Sequence, residues 1–230
     1  MSASLNPYPN SRAWAQVIPQ RTGLLRARPQ RFKRLFDVVF ALLLGLIVLP
    51  LGLLIAGAIA FESGGPVLFA HTRIGRRTRR FRLWKFRSMV SDADEVLQTY
   101  LDQHPGHALE WRLAHKLRND PRVTRVGRFL RRTSLDELPQ LWNVLRGEMS
   151  LVGPRPIVEE EIAKYGPAVA LYSQVLPGLT GLWQVSGRND TTYRERVELD
   201  CRYIRAWTAM VDLRVLVKTV RVVLGGHGAY

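Results

Sequence analysis

The sequence has almost no cysteine and lacks the motifs of several common enzyme classes. Cys201 is the only cysteine among the 230 residues, so no internal disulfide can form, which fits a reducing compartment. The sequence contains no P-loop and no GxGxxG, HExxH, CxxC or GxSxG motif, and its five histidines do not have the spacing of metal ligands. These absences argue against a zinc site and against a thiol nucleophile.

Acidic residues are missing from two stretches that are otherwise rich in positive charge. Residues 1–36 contain seven basic residues and no acid, and residues 63–91 contain eight basic residues and no acid. These fifteen account for the whole net charge of +15, because the rest of the chain has 19 basic and 19 acidic residues. The positive excess therefore lies on both sides of the segment that separates the two stretches.

That intervening segment, residues 38–61, has no charged residue and contains Pro50. A straight helix of this length is about 36 Å long, whereas the hydrocarbon core of a bilayer is ~30 Å thick. Lysine and arginine prefer the cytoplasmic side, so a single crossing would leave one basic stretch on the wrong side. A helix that bends at Pro50 and returns places both on the cytoplasmic face. An ordinary crossing with a proline kink is the alternative.

The charge pattern predicts three parts along the chain. Residues 1–32 form a basic, poorly ordered tail, residues 33–62 form the re-entrant membrane helix, and residues 63–230 form a cytoplasmic domain at the membrane interface. We predict an α+β fold for this domain, mainly helical, with short strands near 66–75 and 81–89.

The C-terminal third has apolar residues at helical spacing, which predicts an amphipathic helix. This helix either packs on the core or lies flat in the membrane interface. The residues of this apolar stripe are Leu213, Leu216, Val217, Val220 and Leu224.

One short stretch, TSLDELPQ, has two opposing interpretations. Ser134 and Glu137 have the spacing of a capping box, and Asp136 would then only interact with the helix dipole. Alternatively, Arg131 and Arg132 directly before it make an anion site, in which a carboxylate can attack a phosphoryl group. That reaction calls for a divalent cation, which Glu137 could help to hold.

Three other short motifs carry charged residues that suit phosphate or metal. Asp92 and Asp94 form a DxD pair, as in some metal-dependent glycosyltransferases, although acids at a helix start usually serve the helix dipole. Arg155 in GPRP and Arg188 in SGRND suit bidentate phosphate contacts. Pairing of either loop arginine with an acid is the alternative.

Longer motifs occur in order from about Lys33 to the C-terminus. They are KRLFD, the proline-containing apolar helix, RIG, KFRSM, DPRVTRVGRFLRRTSLDELPQLWNVLRGEMSLVGPRP and PGLTGLWQVSGRN. Together they resemble the bacterial sugar transferase family, the polyprenyl-phosphate hexose-1-phosphate transferases or monotopic phosphoglycosyl transferases. Within that family the sequence resembles the short enzymes that start exopolysaccharide synthesis.

The resemblance implies transfer of hexose-1-phosphate, from UDP-galactose or UDP-glucose, to undecaprenyl phosphate with release of UMP. It implies that Asp136 attacks the donor and forms a phosphosugar-aspartyl intermediate, and that Glu137 holds Mg²⁺. The implied substrate-binding residues are Lys85, Arg131, Arg155, Arg188 and Asn189.

The resemblance also implies a monotopic protein on the cytoplasmic face of the bacterial inner membrane, in contact with anionic phospholipid. Downstream glycosyltransferases are candidate partners. Lys33, Arg34 and Asp37 are implied to anchor the entrance of the membrane helix, with the two cations near lipid phosphate, and Pro50 is implied to bend it. Many members have a serine before this proline, where this sequence has Leu49, so the bend here depends on Pro50 and on the charge layout.

Three rival functions explain only parts of the sequence. A nucleic-acid binder would account for the basic excess but not for the apolar segment, and no recognition motif is present, so we expect no nucleic-acid partner. A non-catalytic membrane scaffold would not convert substrate. A metal-dependent glycosyltransferase that uses Asp92 and Asp94 would release UDP instead of UMP.

Overall fold

The computed structural model describes residues 27–114, 117, 119–187 and 191–225, and it combines one long helix with a mainly helical domain. The helices are α1 (Ala27–Ser63), α2 (Ala93–Gln103), α3 (Pro105–Ala114), α4 (Arg125–Thr133), α5 (Gln140–Arg146), α6 (Glu161–Tyr165), α7 (Val169–Tyr172), α8 (Tyr193–Ala206) and α9 (Ala209–Gly225). The strands are β1 (Leu68–Ile74), β2 (Arg80–Phe86), β3 (Ser150–Val152) and β4 (Gly178–Thr180). This mixture of many helices and few strands confirms the predicted class.

β1 and β2 form an antiparallel hairpin, in which Phe69 pairs with Lys85. Side chains alternate between the two faces of a strand, so residues two apart share a face. Phe81 and Leu83 are buried, and Lys85 continues their face. The register of β2 therefore turns a lysine toward the interior of the domain.

The main core lies between the hairpin, α5, the short parallel pair β3–β4, and α8. Its fully buried side chains include Val144, Met149, Val152, Ile157 and Tyr203. The Tyr203 hydroxyl donates to the carbonyl of Val152 or to the Asp212 carboxylate, so a polar atom inside this core has partners.

α1 is long and apolar enough to cross a membrane by length and composition, and Pro50 lies inside it. Most of its side chains are exposed, but one stripe packs against the domain. In the first half, Ala41 is fully buried in the main core. In the second half, Ile55 and Ile59 form a separate cluster with Phe86 at the end of β2 and with α4. Both halves of α1 therefore contact the same domain.

Polar contacts attach the beginning of α1 to the rest of the domain. The Lys33 ammonium lies 2.6 Å from the Asp212 carboxylate of α9, and both side chains are buried. The Asp37 carboxylate accepts a hydrogen bond of 3.0 Å from the backbone amide of Leu151. Arg34 donates to the backbone carbonyls at the end of α5. The three predicted anchor residues thus attach α1 to the rest of the domain, and the Lys33 ammonium is buried between α1 and α9.

The predicted capping box at Ser134 and Glu137 is absent. Ser134 has φ = 57° and ends α4 in the left-handed conformation, and its side chain makes no capping hydrogen bond. A capping box does form at the start of α8, where Thr192 and Glu195 exchange hydrogen bonds. The capping-box interpretation of TSLDELPQ is therefore wrong, and the capping box at Thr192 was not predicted.

The predicted stripe of α9 faces outward over most of its length. Leu213, Val217 and Val220 are 51%, 48% and 57% exposed, whereas Val215, outside the stripe, is 2% exposed. Leu216 packs partly against the core. Core packing of this stripe, one of the two alternatives from the sequence, is therefore wrong for these three residues.

We expect the buried ion pair of Lys33 and Asp212 to be essential for stability. Lys33→Met leaves the Asp212 carboxylate buried without its cation, so the free energy of unfolding should fall by about 3 kcal/mol. Denaturant unfolding in detergent micelles measures this change. Arg80→Met is the control, because its partner Glu159 and Arg80 itself are well exposed, and its cost should stay below ~1 kcal/mol. Equal losses for the two variants would contradict the assignment.

Candidate active site

The turn Leu135–Glu137 connects α4 to α5 and places two adjacent carboxylates differently. Ser134 ends α4 in the left-handed conformation directly before this turn. Asp136 is buried, only 8% exposed, while Glu137 is partly exposed. We call Asp136 and Glu137 the acidic dyad.

Lys85 lies between the two carboxylates of the acidic dyad. Its ammonium nitrogen is 2.7 Å from Glu137 Oε1 and 3.5 Å from Asp136 Oδ2. The side chain reaches them because the register of β2 turns it inward, toward the turn after α4. One cation therefore balances part of the charge of two acids, and it restrains the orientation of both.

The surroundings make the Asp136 carboxylate unusual. Burial raises its pKa above the ordinary value of 3.8, and the negative charge of Glu137 acts in the same direction. Lys85 and Arg131 oppose this effect and favour the ionised form. A carboxylate with little water around it and with cations close by is suited to bond with an electrophile, because few hydrogen bonds to water must be broken first.

Ser88, which follows the end of β2, holds Arg131 beside the acidic dyad. Its Nε donates a hydrogen bond of 2.8 Å to the Ser88 hydroxyl, and its guanidinium acts electrostatically on Asp136. α4 can lie this close because of Gly127, where a Cβ would come within 2.0 Å of the Ser88 carbonyl oxygen. The structure thus brings together Lys85, Arg131 and the acidic dyad, four of the residues predicted from the sequence.

Arg155 lies in a second polar cluster. Its guanidinium carbon is 5.4 Å from the ring centroid of Trp183, a cation–π arrangement. Its backbone amide lies against the Asp200 carboxylate, which also accepts a hydrogen bond of 2.5 Å from the Tyr165 hydroxyl. Within the described part of the chain, Arg155 forms no hydrogen bond or ion pair with the acidic dyad. Its predicted role in substrate binding stays a prediction.

The other residues predicted from the sequence lie either outside the described residues or at the surface. Arg188 and Asn189 lie outside the described residues. Asp92 precedes α2 and Asp94 lies in its first turn, and neither side chain is buried. Within the described ranges, no group of three or more metal-ligating side chains comes together.

Two buried or partly buried polar residues support the site without a signal in the sequence. Asn143 on α5 is fully buried, donates to the Arg82 carbonyl at 2.7 Å, and accepts from the Trp84 amide at 3.1 Å. These bonds fix α5 to β2 next to Lys85. Ser88 orients Arg131, as described above. Helical spacing and composition cannot identify either role, because both depend on contacts between distant parts of the chain.

Comparisons with known proteins agree with these motifs. A family model described as bacterial sugar transferase matches residues 28–226. The chain is 47% identical over 216 residues to the exopolysaccharide production protein ExoY of Sinorhizobium fredii, covering 94% of this chain and 96% of that protein. It is 49% identical over 207 residues to an undecaprenyl-phosphate galactose phosphotransferase of Salmonella typhimurium, covering 90% of this chain and 43% of that protein.

A third relative carries a different sugar in its name. The chain is 43% identical over 207 residues to an undecaprenyl-phosphate glucose phosphotransferase of Komagataeibacter xylinus. The match covers 82% of this chain and 35% of that protein. The chain therefore spans nearly the whole length of one kind of relative and less than half the length of another.

Asp200 should make stability depend on pH. Burial raises its pKa to about 6, from 3.8, so the folded state binds this proton more tightly than the unfolded state. The resulting stabilisation is complete below about pH 4 and is lost as the pH rises through about 6. The difference between the two values corresponds to about 3 kcal/mol. Asp200→Asn does not titrate, so its free energy of unfolding should depend less on pH in this range.

Denaturant unfolding in detergent at pH 4, 5 and 6 measures this difference. Asparagine keeps an oxygen that can accept from Tyr165, which limits other damage to the cluster. Glu198→Gln on the exposed side of α8 is the control. Parallel pH curves for the wild type and Asp200→Asn would show that Asp200 does not hold a raised pKa.

Proposed function

Because the chain belongs to the bacterial sugar transferase family, we propose that it transfers hexose-1-phosphate from a UDP-hexose to undecaprenyl phosphate. The observation that carries this proposal is the buried Asp136 carboxylate, held between Lys85 and Arg131 beside Glu137. The names of two relatives support the acceptor, and they support galactose or glucose as the sugar. The name of the ExoY relative supports a role in exopolysaccharide production.

In the first step, an Asp136 oxygen attacks the β-phosphorus of the UDP-hexose. The new bond joins this oxygen to phosphorus, and the bond from phosphorus to the oxygen bridging the two phosphates breaks, so UMP leaves with that oxygen. Lys85 and Arg131 lower the repulsion between the carboxylate and the diphosphate, since both cations lie at Asp136. The product of this step is a phosphosugar-aspartyl intermediate.

In the second step, a phosphate oxygen of undecaprenyl phosphate attacks the same phosphorus. The bond to Asp136 breaks, which regenerates the free carboxylate and yields a sugar linked to the lipid through a diphosphate. Because Asp136 returns to its starting state, the cycle needs no oxidant and no additional nucleophile. The partly exposed Glu137 leaves the dyad open to substrates from one side.

The acidic dyad also fits Mg²⁺. This ion is usually bound by one or two carboxylates together with substrate phosphates and water, rather than by a complete cage of protein ligands. Glu137 would supply the carboxylate, because it is the more accessible member of the dyad while Asp136 is the nucleophile. Mg²⁺ would supply charge neutralisation for the diphosphate, while Lys85 keeps Glu137 oriented from the other side.

We further propose that α1 enters the membrane and returns to the cytoplasmic face. Its first half is fixed to α9 through Lys33 and Asp212, and its second half packs on β2 and α4 through Ile55 and Ile59. A helix that crossed the bilayer would need parts of one folded domain on both sides. Attachment of both halves to the same domain therefore supports the re-entrant arrangement.

Exposed apolar residues support contact of the domain with the membrane interface. Phe129 on α4 and Trp142 on α5 are 51% and 56% exposed. On α9, Leu213 and Val217 are exposed next to Arg214 and Lys218. A helix surface that mixes apolar and basic residues suits the boundary between acyl chains and anionic headgroups.

Asp136→Asn should abolish covalent catalysis. The amide is a poor nucleophile, so release of UMP should fall by more than ~10³-fold. Intact mass spectrometry after mixing with UDP-galactose or UDP-glucose alone should show a hexose-phosphate adduct on the wild type and none on the variant. Asp92→Asn is the control and should keep its activity. Release of UDP instead of UMP, or a wild type without adduct, would contradict the proposal.

Both ends of α1 should be accessible only from the cytoplasm. Cys201 is buried and its thiol pKa is raised to about 11, so it should give little background with a maleimide. Single cysteines introduced by Arg31→Cys and Pro66→Cys, at exposed positions before and after the apolar segment, should react in inside-out vesicles. Reaction of either cysteine with an impermeant maleimide added to intact spheroplasts would contradict the re-entrant arrangement.

A further inference from the structure

The last turn of α1 carries Glu62, whose side chain is directed at another helix. Its Oε1 accepts a hydrogen bond of 2.8 Å from the backbone amide of Arg125. The amide of Val126 donates to the same carboxylate, at 3.0 Å to Oε2. Arg125 and Val126 are the first two residues of α4, so a residue of the apolar helix caps the helix that leads to the acidic dyad.

These contacts satisfy the amides at the start of α4. The first four amides of a helix have no partner inside it. The Thr124 side chain accepts from the Gly127 amide, and the Ser88 carbonyl accepts from the Thr124 amide. Glu62 provides the acceptors for the other two. Its negative charge also lies at the positive end of the α4 dipole.

α4 transmits the position of its first turn to the active site. It is a single nine-residue helix, and its last turn carries Arg131, which acts on Asp136. Gly127 packs directly against the Ser88 carbonyl, so α4 cannot move closer to the segment that follows β2. Ser88 thus restrains the start of α4 from one side, and Glu62 adds a restraint on the same first turn from α1.

A second contact ties the end of α1 to the strand side of the active site. Arg87 follows β2 and donates to the Ser63 hydroxyl at 2.8 Å and to the Gly64 carbonyl. The neighbours of Arg87 in sequence include Lys85 and Ser88, which contact the acidic dyad and Arg131. The end of α1 is thus bound to both elements that present catalytic groups.

From these contacts we infer that Glu62 is a positioning residue for the acidic dyad. It makes the placement of Arg131 and Asp136 depend on the membrane helix. The inference rests on the proposed function, because it concerns the geometry of that same reaction. Since Glu62 lies at the end of α1 and no catalytic step uses it, its loss should slow the chemical step while leaving donor binding nearly unchanged.

The test compares Glu62→Ala with Glu62→Gln and Glu62→Asp. Alanine removes both acceptor oxygens, so kcat for UMP release should fall about tenfold with KM for UDP-hexose within about twofold. Glutamine keeps one acceptor oxygen at the same reach, so kcat should stay within about threefold of the wild type. Aspartate is one methylene shorter and should resemble alanine. The rate of adduct formation with donor alone should follow the same order.

Glu159→Ala is the matched control, because it removes an exposed glutamate that also has a partner but lies away from α4. Its kcat should equal that of the wild type. If Glu62→Ala does not fold, the comparison of kcat between Glu62→Gln and Glu62→Asp still tests the inference. A wild-type kcat for Glu62→Asp would overturn the inference, because a side chain one methylene shorter should lose the hydrogen bonds to Arg125 and Val126.

The outcomes separate this inference from the proposed function. Full activity of Glu62→Ala, with Asp136→Asn inactive, would overturn the positioning role alone. Activity of Asp136→Asn would overturn the proposed reaction whatever Glu62 does. A rise in KM without a change in kcat for Glu62→Ala would also overturn the inference, because it would place Glu62 in donor binding.

Discussion

The structure depends above all on the attachment of α1 to one domain at both of its ends. At the start, Lys33 shares a buried ion pair with Asp212, and at the end, Glu62 caps α4. A buried charge is costly unless its partner is present, so the first contact allows little variation in the position of α1 against α9. α1 is therefore part of the architecture around the acidic dyad, as well as a helix long and apolar enough to cross a membrane.

Around the acidic dyad, the fold tolerates two local costs in one short turn. Ser134 adopts a left-handed conformation, which is unfavourable for a residue with a side chain, and Asp136 is a carboxylate removed from water. Rigid neighbours make this tolerable: α4 rests on Ser88 through Gly127, and Asn143 joins α5 to β2. Strain of this kind is common where a reactive group has to be held in place.

The sequence predicts those features that appear as patterns of residue type along the chain. The uncharged segment before Glu62 and the basic stretches beside it predict α1, and the short strands predicted near 66–75 and 81–89 correspond to the hairpin that carries Lys85. The residues alone leave two interpretations of the acidic dyad, because Ser134 and Glu137 also have the spacing of a capping box, and the family resemblance favours the catalytic one. The role of Glu62 was not predictable, since it depends on a contact with a helix more than sixty residues away.

The pairing of Lys33 with Asp212 also dictates an order of assembly. The two residues are 179 positions apart, so the pair can form only after α9 has left the ribosome. α1 is synthesised before α9, so Lys33 lacks its Asp212 partner while the intervening domain is made. Docking of α9 then supplies the closer of the two carboxylates beside Lys33, and a chain truncated before α9 would leave this buried ammonium with Asp37 alone, at 3.9 Å.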